Sequence, residues 1–268
     1  MIYDTKDVLG KSFGISPKVY NFCEETYEKI ILQAAKIEKI SRYNQLKVLA
    51  AFKDNKISDT HFASTSGYGY GDAGREAIDS VYAQVFGAED ALVRHNIVSG
   101  THAISLCLFG VLRPGDTLVS VTGKPYDTLE EVIGITGHGK GSLKEFGVDY
   151  KQIDLIDGFV DYNNIMLTLG ENTKAVLIQK SKGYDWRPSL TNKEIGKIIE
   201  TVKKINPNII CIVDNCYGEF VEADEPTNYG ADLMAGSLIK NPGGGLVSTG
   251  GYVAGRKDLV ELVSYKLN

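Results

Sequence analysis

No apolar run in the 268-residue chain reaches membrane-spanning length, and Met1-Ile2-Tyr3-Asp4-Thr5-Lys6-Asp7 has neither the basic start nor the apolar core of a signal peptide. A cytoplasmic protein is the expectation. Basic residues are not in excess: 29 Lys and Arg stand against 34 Asp and Glu, for a formal net charge of −5. A general nucleic-acid surface relies on clustered cations, so this balance argues against one. The four cysteines, Cys23, Cys107, Cys211 and Cys216, form no CxxC pair, and His61, His95, His102 and His138 are nowhere near metal-ligand spacing. They read as reduced, buried thiols, with no metal site. Neither GxGxxG after the first strand nor GxxxxGKS/T occurs, which weakens a nucleotide-binding reading. Internal repeats and low-complexity linkers are also missing.

What is present is an ordinary core-forming composition, 43% hydrophobic and 24% charged. From Pro17 to about Ile57 the chain lacks glycine, and Val19, Phe22, Tyr27, Ile30, Ile31, Ala34, Ile37 and Ile40 fall near helical spacing. An amphipathic stretch of this kind cannot bury its stripe alone. It predicts a helical N-terminal arm over residues 1–60 that lies partly on the remaining domain, residues 61–268, and partly on a partner subunit. Ser64 to Asp72 is small, polar and loop-like. Asp72 is a natural N-cap for a helix through Arg75, Ile78, Val81 and Val85, closed by Gly87.

A short strand, Ala91 to Arg94, precedes Val98-Ser99-Gly100-Thr101-His102-Ala103 and an apolar helix, Ile104 to Leu112. Strands and helices then alternate: strands 117–121, 148–155, 174–179 and 209–213, with helices around Leu129 to Ile133, 161–169 and 191–205, the last opened by a Thr191/Glu194 capping box. This pattern calls for an α/β fold, a mostly parallel sheet flanked by helices. Gly244 to Gly255 reads as a glycine-rich antiparallel pair. A last helix starts near Arg256, and its stripe of Leu259, Val260, Leu262 and Val263 has no following element to cover it.

Two stretches carry candidate chemistry. Ile209 to Val213 ends on Asp214, and Ser237-Leu238-Ile239-Lys240 runs into Asn241-Pro242-Gly243-Gly244-Gly245. Open α/β sheets bind ligands at the C-terminal ends of their strands, so a carboxylate there could face an amine across a pocket. Such a pair suits pyridoxal phosphate, which needs an amine for its aldehyde and a carboxylate to keep its ring nitrogen protonated. The bland alternative is a strand-end aspartate in a turn and a solvated lysine. Ser99, Gly100 and Thr101 at a helix start offer backbone N–H groups and hydroxyls to a phosphate, or form a plain helix cap. His102 reads as a first-turn helix residue.

Tyr68-Gly69-Tyr70-Gly71-Asp72, Ser99-Gly100-Thr101-His102-Ala103, Lys124-Pro125-Tyr126-Asp127, Val213-Asp214-Asn215-Cys216-Tyr217-Gly218-Glu219-Phe220 and Ser237-Leu238-Ile239-Lys240-Asn241-Pro242-Gly243-Gly244 occur in the same order as in fold-type-I pyridoxal-phosphate enzymes. The chain resembles the aluminium-resistance or methionine gamma-lyase-like protein family, related to cystathionine lyases, from about Gly67 to Asn268. The resemblance implies that Lys240 carries the cofactor and later moves protons, that Asp214 partners the ring nitrogen, and that Tyr126 stacks on the ring. It assigns the phosphate to Ser99, Gly100 and Thr101 with a hydroxyl from Ser237. Tyr68 and Tyr70 match a loop that reaches the neighbouring subunit's phosphate, which implies a shared site in a homodimer or homotetramer.

The chain departs from the cystathionine-lyase pattern in two places. Gly71-Asp72 stands where an arginine follows the tyrosine, with Arg75 one turn further on. The chain also stops in what should be the connecting helix, so it looks truncated before the smaller domain that supplies an arginine for the substrate carboxylate. Arg187 lies in a loop that should open towards the cofactor, but nothing promotes it to that role. The implied function is carbon–sulfur lysis of a sulfur-containing amino acid, at the β or the γ carbon. The rivals are a non-catalytic cofactor-binding fragment and another pyridoxal-phosphate enzyme such as a transferase.

Overall fold

The computed structural model describes residues 4–65 and 71–267, and the chain divides into two compact units, Met1–Gln45 and Leu46–Asn268. The first unit is helical. Helix α1 (Thr5–Phe13) opens on Asp4, whose side chain accepts from the Lys6 N–H at 2.9 Å, and it closes at Gly14. This helix precedes the one expected from Pro17; the Asp4 and Gly14 caps are the signals that mark it. Helix α2 (Pro17–Asp54) starts on proline, which lacks an N–H that the first turn could not have used anyway. Its part up to Gln45 belongs to the first unit, where Val19, Phe22, Tyr27, Ile30, Ile31 and Ile37 are exposed.

In the second unit the last turns of α2 bury Ala51 and pack Val48 into the core. There follow α3 (Ala73–Phe86), β1 (Asp90–Arg94), α4 (Gly100–Val111), β2 (Thr117–Ser120), α5 (Asp127–Ile133), β3 (Asp149–Gln152) and α6 (Tyr162–Thr168). Then come β4 (Thr173–Gln179), α7 (Asn192–Ile205), β5 (Ile210–Asp214), β6 (Leu233–Ser237), β7 (Gly251–Gly255) and α8 (Lys257–Ser264). The seven strands form one sheet in the order β1-β7-β6-β5-β4-β2-β3. Neighbours from β6 through β5, β4 and β2 to β3 are parallel, whereas β7 is antiparallel to both β6 and β1.

Strand periodicity decides which residues meet which helices. Successive side chains point to opposite faces, so Cys211 and Val213 of β5 join Val176 and Ile178 of β4 in one core, while Ile210 and Ile212 join Ala175 and Leu177 in the other. The first core holds α3 and α7 through Phe86, Ile195, Ile198 and Val202. The second holds α4, α5 and α8 through Ile104, Leu108, Leu129 and Val263. Both faces of the central strands are covered, which explains why those strands read as continuous apolar runs.

The caps read from sequence are formed. Asp72 accepts from the Arg75 N–H at 3.0 Å, and Gly87 ends α3 in the left-handed region. Thr191 and Glu194 exchange their bonds at 2.8 and 3.2 Å. Four expectations need correction. Gly244 to Gly255 is not an antiparallel pair: only Gly251–Gly255 is a strand, and it pairs with β6 and β1. The α8 stripe is not uncovered, because Leu259, Val260 and Val263 are buried beside α4 and only Leu262 stays partly exposed. Cys23 is exposed, unlike the other three thiols. The third strand shrinks to an edge of four residues with mostly exposed side chains. No helix among the described residues is long and apolar enough to cross a membrane.

Candidate active site

The parallel strands deliver their C-terminal ends to one place. Asp214 ends β5, Lys240 follows β6 by a short turn, and α4 and α5 begin just beyond β1 and β2. Between them lies a cavity of about 190 Å³ lined by Gly100, Thr101, Tyr126, Asp214, Cys216 and Lys240, among others. Its position is the one expected for ligands of an open α/β sheet.

Asp214 is buried, and its Oδ1 accepts from the Cys216 N–H at 3.0 Å. Burial pushes its carboxyl above the usual range; the Cys216 N–H and side chain and the charge of Lys240 act in the opposite sense. A buried carboxylate with this balance is held in its charged form by any cation placed against it. Lys240 is half-buried, and its Nζ makes no hydrogen bond or ion pair among the described residues. Instead the Nζ sits 3.6 Å from the centroid of the Tyr217 ring.

The start of α4 is an anion-ready end. Ser99 caps it by accepting from the His102 N–H at 3.1 Å, and the first-turn N–H groups of Gly100 and Thr101 find no partner among the described residues. Gly100 could be nothing larger, because a Cβ there would lie 2.5 Å from the Cys216 Sγ. The glycine thus brings the helix start against the turn after Asp214. Thr101 lines the cavity, with its Oγ1 2.5 Å from that of Thr128.

Other expected residues are placed as follows. Tyr126 lines the cavity but stacks on Tyr184, with ring centroids 5.6 Å apart, and its hydroxyl donates to the Tyr184 hydroxyl at 3.1 Å. That bond is the main reason its phenol is pushed up to about 12. Ser237 is fully buried near Gly100, and its hydroxyl accepts from the Ile239 N–H at 3.2 Å. Tyr68 and Tyr70 lie outside the described residues. Arg187 does not open towards the cavity; it is buried and donates to the carbonyls of Gln179 and Ser181 at 3.1 and 2.6 Å. His102 is a first-turn residue of α4, and its Nδ1 accepts from the Val98 N–H at 3.3 Å. Sequence reasoning gave no role to Cys216, Tyr217, Ser181 or Gly183, all of which line the cavity. For Cys216 and Tyr217 the available signal was adjacency to Asp214.

The family model described as methionine gamma-lyase matches residues 19–268. The chain belongs to that family. It is 55% identical over 233 residues to the uncharacterized protein YnbB of Bacillus subtilis, covering 86% of this chain and 55% of YnbB. A solved structure from Clostridium novyi, described as a carbon-sulfur lyase involved in aluminum resistance, is 50% identical with a TM-score of 0.91, covering all of this chain and 64% of that one. The pyridoxal-5'-phosphate-dependent protein YhfS of Escherichia coli shares the fold, at 17% identity and a TM-score of 0.63, over 86% of this chain and 58% of YhfS. The sheet and its helices therefore have the fold of fold-type-I pyridoxal-phosphate-dependent enzymes, preceded in the chain by a helical N-terminal arm. The chain spans between about half and two thirds of the length of these relatives.

Proposed function

We propose that this chain is the cofactor-binding domain of a pyridoxal-phosphate-dependent carbon–sulfur lyase acting on a sulfur-containing amino acid. The observation that carries the reading is the donor set around one cavity: an amine at Lys240, a buried carboxylate at Asp214, and the N–H groups of Gly100 and Thr101 at the start of α4, unpartnered among the described residues. These three fit the three polar ends of the cofactor, its aldehyde, ring nitrogen and phosphate. Family membership supports the same chemistry.

Bound there, pyridoxal phosphate supplies an aldehyde that captures amines and a ring that takes up the electrons of a broken Cα–H bond. Asp214 holds the proton on the ring nitrogen, and its burial makes it a strong partner for that cation. Gly100 and Thr101 bind the phosphate through their N–H groups, which fixes the ring against rotation. With the cofactor bound, Lys240 would be the amine that carries it and, when free, the base at the cavity able to take a proton from a substrate's Cα.

Adding pyridoxal phosphate should give a visible absorption band. Borohydride should then fix the cofactor to Lys240, and peptide mapping reads the position. Attachment at Lys180, Lys182 or another lysine would overturn the assignment. In Asp214→Asn the attachment should persist, while exchange of an amino acid's α-proton for solvent deuterium falls at least a hundredfold, by analogy with removal of a preorganised electrostatic group. Equal exchange in variant and parent would remove Asp214 from its role.

A further inference from the structure

Tyr217 occupies a backbone conformation that a tyrosine does not choose for itself. Its φ is 67°, in the left-handed region, and its side chain is largely exposed, so core packing does not account for the residue. The turn around it is clamped from both sides. The Gly218 N–H donates to the Asn215 carbonyl at 2.7 Å, and the Asn241 side chain donates to the carbonyls of Tyr217 and Glu219 at 3.1 and 2.9 Å. Asn241 immediately follows Lys240, so the segment carrying the lysine also holds the backbone of the turn carrying the ring. The result is the 3.6 Å approach of the Lys240 Nζ to the ring face, at a cavity that both residues line.

We propose that Tyr217 is a positioning residue for Lys240, its ring face holding the lysine's ammonium in place at the cavity. The inference rests on the reading of Lys240 as the cofactor lysine. A ring's quadrupole attracts a cation and has no comparable hold on a neutral amine. The ring therefore keeps the charged lysine oriented at the site and releases it once the proton has gone to solvent, when the nitrogen lone pair is free for a carbonyl. Asn241 keeps the ring's backbone in the left-handed turn that this approach requires. The phenol oxygen has no part in the interaction.

Competitive acetylation of the full chain with acetic anhydride at neutral pH, read by mass spectrometry of the Lys240 peptide against exposed lysines, tests this without cofactor. Tyr217→Leu should raise labelling of Lys240 about two- to thirtyfold, the range set by a cation–ring attraction. Tyr217→Phe keeps the ring and should stay within about twofold of the parent, and Tyr217→Trp should label no faster. If the Leu variant labels like the parent, or the Phe variant labels like the Leu variant, the proposal is wrong. Borohydride trapping of pyridoxal phosphate on the parent separates the two readings. Unchanged acetylation with the cofactor on Lys240 sinks the ring's role alone. Failure of the cofactor to attach at Lys240 sinks the cofactor reading and the role given to the ring with it.

Discussion

Two lysines stand on either side of Asp214, one after each strand that neighbours β5, and their surroundings differ in kind. Lys180 follows β4, is buried, and places its Nζ 2.6 Å from the Asn192 Oδ1 and 3.1 Å from the Glu222 Oε1. Lys240 follows β6, is half-buried, and rests on a ring face. The turn from Asp214 to Glu225 serves both: Gly218 lies on the Lys180 stem, where a Cβ would come within 2.6 Å of Cδ, and the next residue back is Tyr217. A lysine tied to an amide and a carboxylate is fixed as part of the fold. One that rests on a ring has no hydrogen-bonded partner among the described residues to give up when its proton leaves and its lone pair is wanted.

Replacing each lysine separates the two roles. Lys240→Ala should lose all reducible cofactor attachment, the largest effect expected here, while stability to urea falls by no more than about 2 kcal/mol, the upper end of the cation–ring attraction it gives up. A large loss of stability would show that Lys240 is structural after all. Lys180→Met should do the reverse. Removing one member of a buried pair typically costs about 3–5 kcal/mol, and the partial exposure of Glu222 reduces this to about 2–4 kcal/mol. Attachment at Lys240, measured per folded molecule, should persist. Loss of attachment in folded Lys180→Met would break the contrast.

Much of this arrangement was legible before folding because its determinants are local. A β-branched run ending on Asp214, Ser99 before an apolar helix, and the Thr191/Glu194 box each act within a few residues, and each forms as read. Tertiary determinants were not legible. Nothing in the α8 stripe reveals that α4 lies beneath it, and the glycines of 244–250 suggested a strand where the chain coils before β7. Lys180 carries no local mark of its partners, since Asn192 is 12 residues away and Glu222 lies in a third segment. Tyr217 was visible in sequence only as a neighbour of Asp214. Its left-handed backbone and its ring's target depend on Asn241, 24 residues on.

The smallest predicted effect concerns Glu219, on the same turn but facing the core. It is buried, its Oε1 accepts from the Tyr252 hydroxyl at 2.9 Å, and its Oε2 has no hydrogen-bond partner among the described residues. Burial pushes its carboxyl up to about 8, with Tyr252 opposing and the nearby Glu225 and Asp214 charges adding to the rise. The folded protein therefore keeps this proton where the unfolded chain, with an ordinary value of 4.5, has released it. Stability from this group is full below the unfolded value and is lost as pH rises towards about 8, since the unfolded state then binds fewer protons than the native one. Glu219→Gln cannot ionise. Urea midpoints from about pH 5 to pH 8 should fall less steeply in the variant than in the parent, by on the order of 1–3 kcal/mol over the window. Asp214 and Glu225, also raised by burial, contribute a decline common to both proteins, so the difference in slope is the quantity to read. Parallel curves would mean that Glu219 is not held neutral, and that the turn's inner side carries a buried charge.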